Sequence, residues 1–266
     1  MNGILLNYIH WNLNPEILPG LLPVRWYGLL FMSGFVLGYY IIQGMYKREG
    51  KDLAALDNLS LYVGLGTILG ARLGHCLFYE PEYYLSNPQQ ILYIWQGGLA
   101  SHGAVIGILL STYLYGRRYP HTDFWFVTDR LVVVIALAGS LIRLGNLANS
   151  EIIGLPASVP WAFVFERLGD GIPRHPSQLY ESIYYMICFV ILNQIYWKTN
   201  KALQKGFLLG LFMVMIFGFR FFIEFWKENQ VAIEKEFAIN LGQLLSIPVV
   251  MIGLILMFRR QPQDQS

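Results

Sequence analysis

The chain has 266 residues, 55% of them hydrophobic and only 14% charged, with a formal net charge of +2 at pH 7. A soluble protein carries about 25% charged residues, so the composition points to a bilayer protein and away from a soluble globular one. The small net charge argues against nucleic acid as a partner, and Cys76 and Cys188, inside apolar stretches without CxxC or Cys/His spacing, read as small buried side chains.

Residues 1–24 lack a basic n-region, and Pro15, Pro19 and Pro23 interrupt their apolar positions, so no cleavable signal peptide is expected. An apolar helix needs about 20 residues to cross a hydrocarbon core of roughly 30 Å. Seven stretches qualify, at 24–46, 58–78, 97–116, 124–145, 178–197, 206–226 and 240–258. The expected fold is therefore all-α: a single integral membrane domain over 1–266, with seven spans and a small extracytoplasmic cap at 146–177 that holds the run WAFVF (161–165). The first span carries Gly28, Gly34, Gly38 and Gly44, and the second Gly64, Gly66, Gly70 and Gly74. Small residues at this spacing let helices approach closely and say nothing about chemistry.

Lys and Arg in short loops set orientation. Lys47, Arg48 and Lys51 follow the first span, Arg117 and Arg118 the third, Lys198, Lys201 and Lys205 the fifth, and Arg259 and Arg260 the last. The alternate loops are poorer: 79–96 has neither residue, 146–177 has Arg167 and Arg174, and 227–239 has Lys227 and Lys235. This bias places the N-terminus outside and the C-terminus in the cytoplasm. No internal repeat is visible.

Charged groups inside a membrane cost about 2.5–3.5 kcal/mol each on insertion scales, which makes them functional candidates. With this orientation, Tyr27 opens the first span at the outer face, and Arg72 and His102 lie within two turns of it. Arg143 and Asn146 close the fourth span there. Arg174, His175, Gln178, Tyr180 and Glu181 open the fifth, and Arg220 and Glu224 occupy the outer third of the sixth, on one helix face. Asp129 and Arg130 fall at the inner end and read as a snorkelling boundary pair. Several arginines against few acids, Glu151, Glu181 and Glu224, suit bidentate phosphate recognition, hence a phospholipid headgroup site. His102 is suited to proton transfer near neutral pH. The His and Glu positions lack metal-ligand spacing, so no metal and no cofactor are expected.

The segments RWYGLL (25–30), GARLGHCLFYEPEYY (70–84), GGLASHGAVIG (97–107), RLGNLANSEIIG (143–154), PRHPSQLYE (173–181) and FRFFIEFWK (219–227) resemble, in order, the motifs of bacterial prolipoprotein diacylglyceryl transferases. The resemblance implies a multi-pass enzyme of the inner membrane. Its partners would be phosphatidylglycerol, other membrane lipid, and prolipoprotein signal peptides with a lipobox cysteine. The diacylglyceryl group moves to that thiol, a thioether forms, and glycerol phosphate leaves. Carried over by motif, the functional positions are Tyr27, His102, Arg143, Asn146, Gly154, Arg220 and Glu224. Arg143, Arg220, Arg72, Asn146, Gly154, Glu151, His175 and Gln178 are expected at the lipid. The chain departs from the family pattern at Ala104, Leu141–Ile142 and Ser150, and its outer loop before RHPSQ is shorter than in many relatives.

In the mechanism this implies, Arg143 and Arg220 hold the phosphate, Asn146 and Tyr27 bond headgroup hydroxyls or phosphate, and Glu224 orients Arg220. His102 is the base for the thiol, unless the arginine field alone lowers the thiol pKa enough. A structural reading stays open for Arg72 (held by carbonyls), for Gln178 and Glu181 (ordering the start of the fifth span), for Tyr27 (an interfacial anchor) and for Glu224. Gly154 permits a turn or a close backbone approach. The competing functions are a transporter or flippase of a phosphorylated lipid, and a structural or sensor bundle.

Overall fold

The structure is a computed structural model that describes residues 8–20, 22–94, 97–228 and 240–259. Lys235 and Arg260, used above for orientation, and residues 1–7 lie outside these. Helices occupy all seven expected stretches: α1 Trp26–Arg48, α2 Leu53–Phe78, α4 Ser101–Arg118, α5 Phe124–Asn149, α6 Ser177–Lys198, α7 Phe207–Ile223 and α8 Leu241–Phe258, with a short α3 at Pro81–Ser86. Among the described residues, four helical stretches are long and apolar enough to cross a membrane: Trp26–Arg48, Leu53–Phe78, Phe124–Asn149 and Phe207–Trp226. Gly242–Phe258 is apolar but shorter. The protein is thus mostly helical, with four of the seven stretches meeting that measure by length and composition.

Boundaries shift for local reasons. The α2 helix begins five residues earlier than expected because Asp52 caps it, accepting from the Ala54 amide. The α4 helix begins later because Gly97 and Gly98 adopt φ of 92° and 69°, outside helical space. The α5 helix continues to Asn149, carrying Arg143 and Asn146 inside it.

Two compact units divide the chain: Tyr39–Arg130, and the residues up to Gly38 with those from Leu131 onward. In the Tyr39–Arg130 unit, α2 and α4 meet along glycines. A Cβ built at Gly107 would lie 2.0 Å from the Gly66 carbonyl oxygen, and one at Gly70 would lie 2.4 Å from that of Gly103. Only hydrogen side chains permit that separation. An adjoining face of α2 exposes Leu61, Leu65, Leu69, Leu73 and Leu77. Their four-residue spacing makes one apolar stripe, a polarity that fits lipid rather than water. Arg130, expected to snorkel, is instead buried. Its Nη2 donates to both carboxylate oxygens of Glu49 at 2.7 Å, and its guanidinium lies 3.7 Å from the Phe126 ring centroid.

In the other unit, short strands stand beside the helices. β1 (Ile9–Trp11) pairs in parallel with β4 (Phe163–Phe165), which pairs antiparallel with β5 (Pro173–Arg174). β2 (Glu16–Leu18) and β3 (Leu22–Arg25) form a separate antiparallel pair leading into α1. Phe163, Phe165 and Leu147 form an apolar cluster with Trp11, and the Trp11 indole N–H donates to the Leu147 carbonyl at 2.9 Å. The strand layer is thereby fixed to the last turn of α5. The α7 and α8 helices approach through Gly210 and Gly253, where an added Cβ would lie 2.6 Å and 2.7 Å, respectively, from the facing carbonyl oxygen.

Candidate active site

Ion pairs from α5, α6, α7 and the segment that follows α7 join into one ladder of alternating charge. Arg143 Nε lies 3.0 Å from Glu181 Oε2, and Glu181 Oε1 lies 3.6 Å from Lys227 Nζ. Lys227 Nζ lies 3.2 Å from Glu224 Oε1, which lies 3.5 Å from Arg220 Nε. Three cations alternate with two carboxylates, leaving one positive charge in excess. The Glu181 side chain is 0% exposed and that of Lys227 3%, against 15% for Arg143 and 39% for Arg220. The middle of the ladder is sealed and the Arg220 end is open to a ligand. Buried carboxylates need cations beside them, and Lys227 serves two at once. Contact through Nε does not by itself occupy the terminal fork that suits phosphate.

Local backbone places these groups. Segment 153–155 is bonded on both sides. Gly154 N–H donates to the His175 carbonyl at 3.0 Å, Leu155 N–H to the Trp226 carbonyl at 2.9 Å, and Glu228 N–H to the Ile153 carbonyl at 3.3 Å. Gly154 and Lys227 form an antiparallel bridge. A Cβ at Gly154 would lie 2.4 Å from the His175 oxygen and 2.8 Å from that of Trp226. Glycine here lets the start of α6 and the end of α7 close on one strand, which sets Lys227 against Glu181. The turn before it holds Ser150 and Ile152 at φ of 56° and 54°. For a β-branched residue this is a strained conformation. The turn is held by Ser177 Oγ donating to the Ile152 carbonyl at 2.9 Å, and by Gln178 Nε2 donating to the Glu151 carbonyl.

The expected site residues separate accordingly. Arg143 Nη1 donates to Asn146 Oδ1 at 3.3 Å, and Asn146 Nδ2 to Glu151 Oε2 at 3.4 Å. Tyr27 packs on Gly145, where an added Cβ would lie 2.8 Å from its ring, and is within electrostatic reach of Glu151 and Arg143. Glu224 also accepts from Asn240 Nδ2 at 3.2 Å, and Asn240 caps α8. Tyr27, Arg143, Asn146, Glu151, Arg220 and Glu224 thus form one neighbourhood. Gln178 and Gly154 support its backbone. His175 Nδ1 is 3.2 Å from the Tyr180 hydroxyl, and burial lowers its pKa below the ordinary 6.5, so the ring is neutral at pH 7.

Arg72 and His102 belong to the Tyr39–Arg130 unit. Arg72 is 3% exposed and donates to the carbonyls of Gln90, Ile91, Gly97 and Gly98, with the Tyr84 ring 5.0 Å from its guanidinium. Its donors tie down the segment before α4. His102 is exposed in the first turn of α4 and stacks on Tyr79, with ring centroids 5.6 Å apart. In the sequence Lys227 reads as a loop charge, and Glu181 as a residue that orders the start of the fifth span. Arg220, Glu224 and Lys227 have helical spacing in the sequence, but Lys227 lies past the helix in extended backbone, so that spacing did not signal its pairing with Glu181.

A family model described as prolipoprotein diacylglyceryl transferase matches residues 16–259. The chain is 48% identical over 250 residues to a protein of Tolumonas auensis, covering 94% of this chain and 96% of that one. It is 45% identical over 260 residues to one of Chloroherpeton thalassium and 44% identical over 272 residues to one of Bacteroides fragilis, each match covering 97% of both chains. All three relatives are named phosphatidylglycerol–prolipoprotein diacylglyceryl transferase. With the family's model spanning most of its length and relatives this similar end to end, the chain belongs to the prolipoprotein diacylglyceryl transferase family.

Proposed function

We propose that this protein transfers the diacylglyceryl group of phosphatidylglycerol to the lipobox cysteine of prolipoproteins, the first step of lipoprotein maturation. The observation that carries the chemistry is the ladder joining Arg143 to Arg220, two guanidinium groups held by one buried set of counter-charges. The acceptor sulfur attacks the glycerol carbon that bears the phosphate ester. A C–S bond forms, the C–O bond breaks, and the bonding electrons leave on the phosphate oxygen as glycerol phosphate. Arg143 and Arg220 hold that phosphate as its charge develops, an effect on the order of several kcal/mol for preorganised donors. Asn146 and Tyr27 bond the headgroup, Glu224 and Glu181 orient the arginines, and Lys227 pairs with both carboxylates. The arginine field favours the thiolate, so the thiol gives up its proton as sulfur attacks. Arg72 is assigned to hold the segment before α4 rather than the lipid.

The protein acts as one integral domain of the inner membrane. All seven long helices cross the bilayer, the N-terminus lies outside and the C-terminus in the cytoplasm, and segment 146–177 caps the outer face. The exposed leucine stripe on α2 supports the lipid setting. The test uses purified protein in nanodiscs with phosphatidylglycerol and a lipobox peptide. The peptide gains the mass of a diacylglyceryl group, and a Cys→Ser peptide gains none. A wild-type protein that leaves the cysteine peptide unchanged contradicts the proposal.

A further inference from the structure

Beside the end of α5 lies an open polar cavity of about 640 Å³, lined by Asn12, Asn14, Arg25, Asn149, Glu151 and Arg167. It reaches the ladder through shared side chains: Glu151 accepts from Asn146, which accepts from Arg143. Asn149 Nδ2 donates to Glu151 Oε1 at 3.2 Å, while Asn149 Oδ1 is buried without a hydrogen-bond partner. A buried acceptor in that state calls for a donor from a ligand or from water. Arg167 Nη1 is anchored on the Asn149 carbonyl at 3.1 Å, and Arg25 stands across the β2–β3 pair from Glu16.

Resting on the function proposed above, we infer that this cavity binds the glycerol phosphate half of the donor lipid. In an in-line displacement the leaving oxygen departs on the side away from the sulfur. If Arg143 grips the phosphate, the departing group lies on the phosphate side, where Asn146 and Glu151 lead into the cavity. The lining fits a phosphorylated polyol. Hydroxyls donate to Asn149 Oδ1 and the Glu151 carboxylate, and once the C–O bond has broken the phosphate, which has gained a charge, passes from Arg143 and Arg220 to Arg25 and Arg167. Glu16 and Glu151 balance the two arginines, so the product is held weakly enough to leave into water.

The experiment uses the full chain in phosphatidylcholine nanodiscs containing phosphatidylglycerol, with a lipobox peptide and added glycerol phosphate, inorganic phosphate or glycerol. Glycerol phosphate slows wild-type transfer at lower concentration than either of the others. Arg25→Gln/Arg167→Gln raises its half-inhibiting concentration about ten-fold, the size expected for losing charge-assisted bonds. Both arginines are exposed, so the double variant keeps its fold, and a melting curve checks this. If the cavity serves the free product alone, the KM for phosphatidylglycerol stays unchanged in the double variant. If it also holds the headgroup of the intact lipid, KM rises with the inhibition constant. Inhibition that is the same in wild type and variant, with transfer continuing, overturns the inference. Should wild type transfer nothing, the proposed function fails by itself. Equilibrium binding of radiolabelled glycerol phosphate then still reads the cavity: binding lost in the variant upholds it, and binding absent or unaltered overturns it.

Discussion

Arg72 and Arg143 both sit within helices of an apolar chain, yet their guanidinium groups are satisfied by different partners. Arg72 is bonded to backbone carbonyls on neighbouring segments and covered by the Tyr84 ring. Arg143 is held by a carboxylate that is itself held by Lys227. Carbonyls carry no net charge, so the first arrangement closes around its cation and stabilises a loop. Carboxylates bring charge, so the second can be extended, and it runs on to a partly open arginine at its far end. Burial alone therefore does not tell the two arginines apart; the chemistry of their partners does.

The contrast can be broken at several points. The largest effect is expected at Arg143. Arg143→Gln lowers transfer to a lipobox peptide by about two to three orders of magnitude, as for loss of one preorganised oxyanion donor, while Arg72→Gln lowers thermal stability and leaves kcat of the folded protein within a few-fold. Equal losses of kcat from the two would erase the distinction. Next is the centre of the ladder. Lys227→Met leaves Glu181 and Glu224 without the cation between them and costs about 3 kcal/mol of stability, read from thermal melts, and Lys227→Arg restores most of it. A smaller effect is expected in the glycine-lined region. Gly107→Ala, whose Cβ would lie 2.0 Å from the Gly66 carbonyl, costs about 1–3 kcal/mol by overpacking.

The smallest effect is the pH response of His175. Burial lowers its pKa, so as pH falls below the ordinary 6.5 the unfolded chain takes up a proton before the folded one does. Its contribution to stability is complete above that value and drains away as pH falls toward the lowered folded pKa. The melting temperature should drop more steeply from about pH 7 to about pH 5 in wild type than in His175→Gln. Parallel curves would remove His175 from the account.

Much of this was legible in the sequence because lipid and glycine write plain signals. Apolar stretches located all seven long helices, and the Gly66–Gly70–Gly74 spacing foretold a close helix contact. Arg143, Asn146, Arg220 and Glu224 were readable from motif and depth. The joining residues were not. Glu181 and Lys227 meet only because Gly154 lets two chain segments close on a third, a tertiary fact with no local periodicity. The α5 helix ran past its expected end for a related reason. Polar residues from Arg143 to Asn149 looked like a boundary, whereas Arg143 pairs with Glu181 of α6, and Asn146 and Asn149 bond Glu151 just past the helix end. The strand pairing of Ile9–Trp11 with Phe163–Phe165 was hidden by its brevity.

The central claim is that Arg143 and Arg220 act on one phosphate as a unit. A double-mutant cycle of Arg143→Gln and Arg220→Gln on the single-turnover transfer rate tests it most directly. Strong non-additivity is expected, with the double variant within about ten-fold of the slower single variant, as for residues that work together. Losses that simply multiply would mean the two arginines act independently and would contradict the claim.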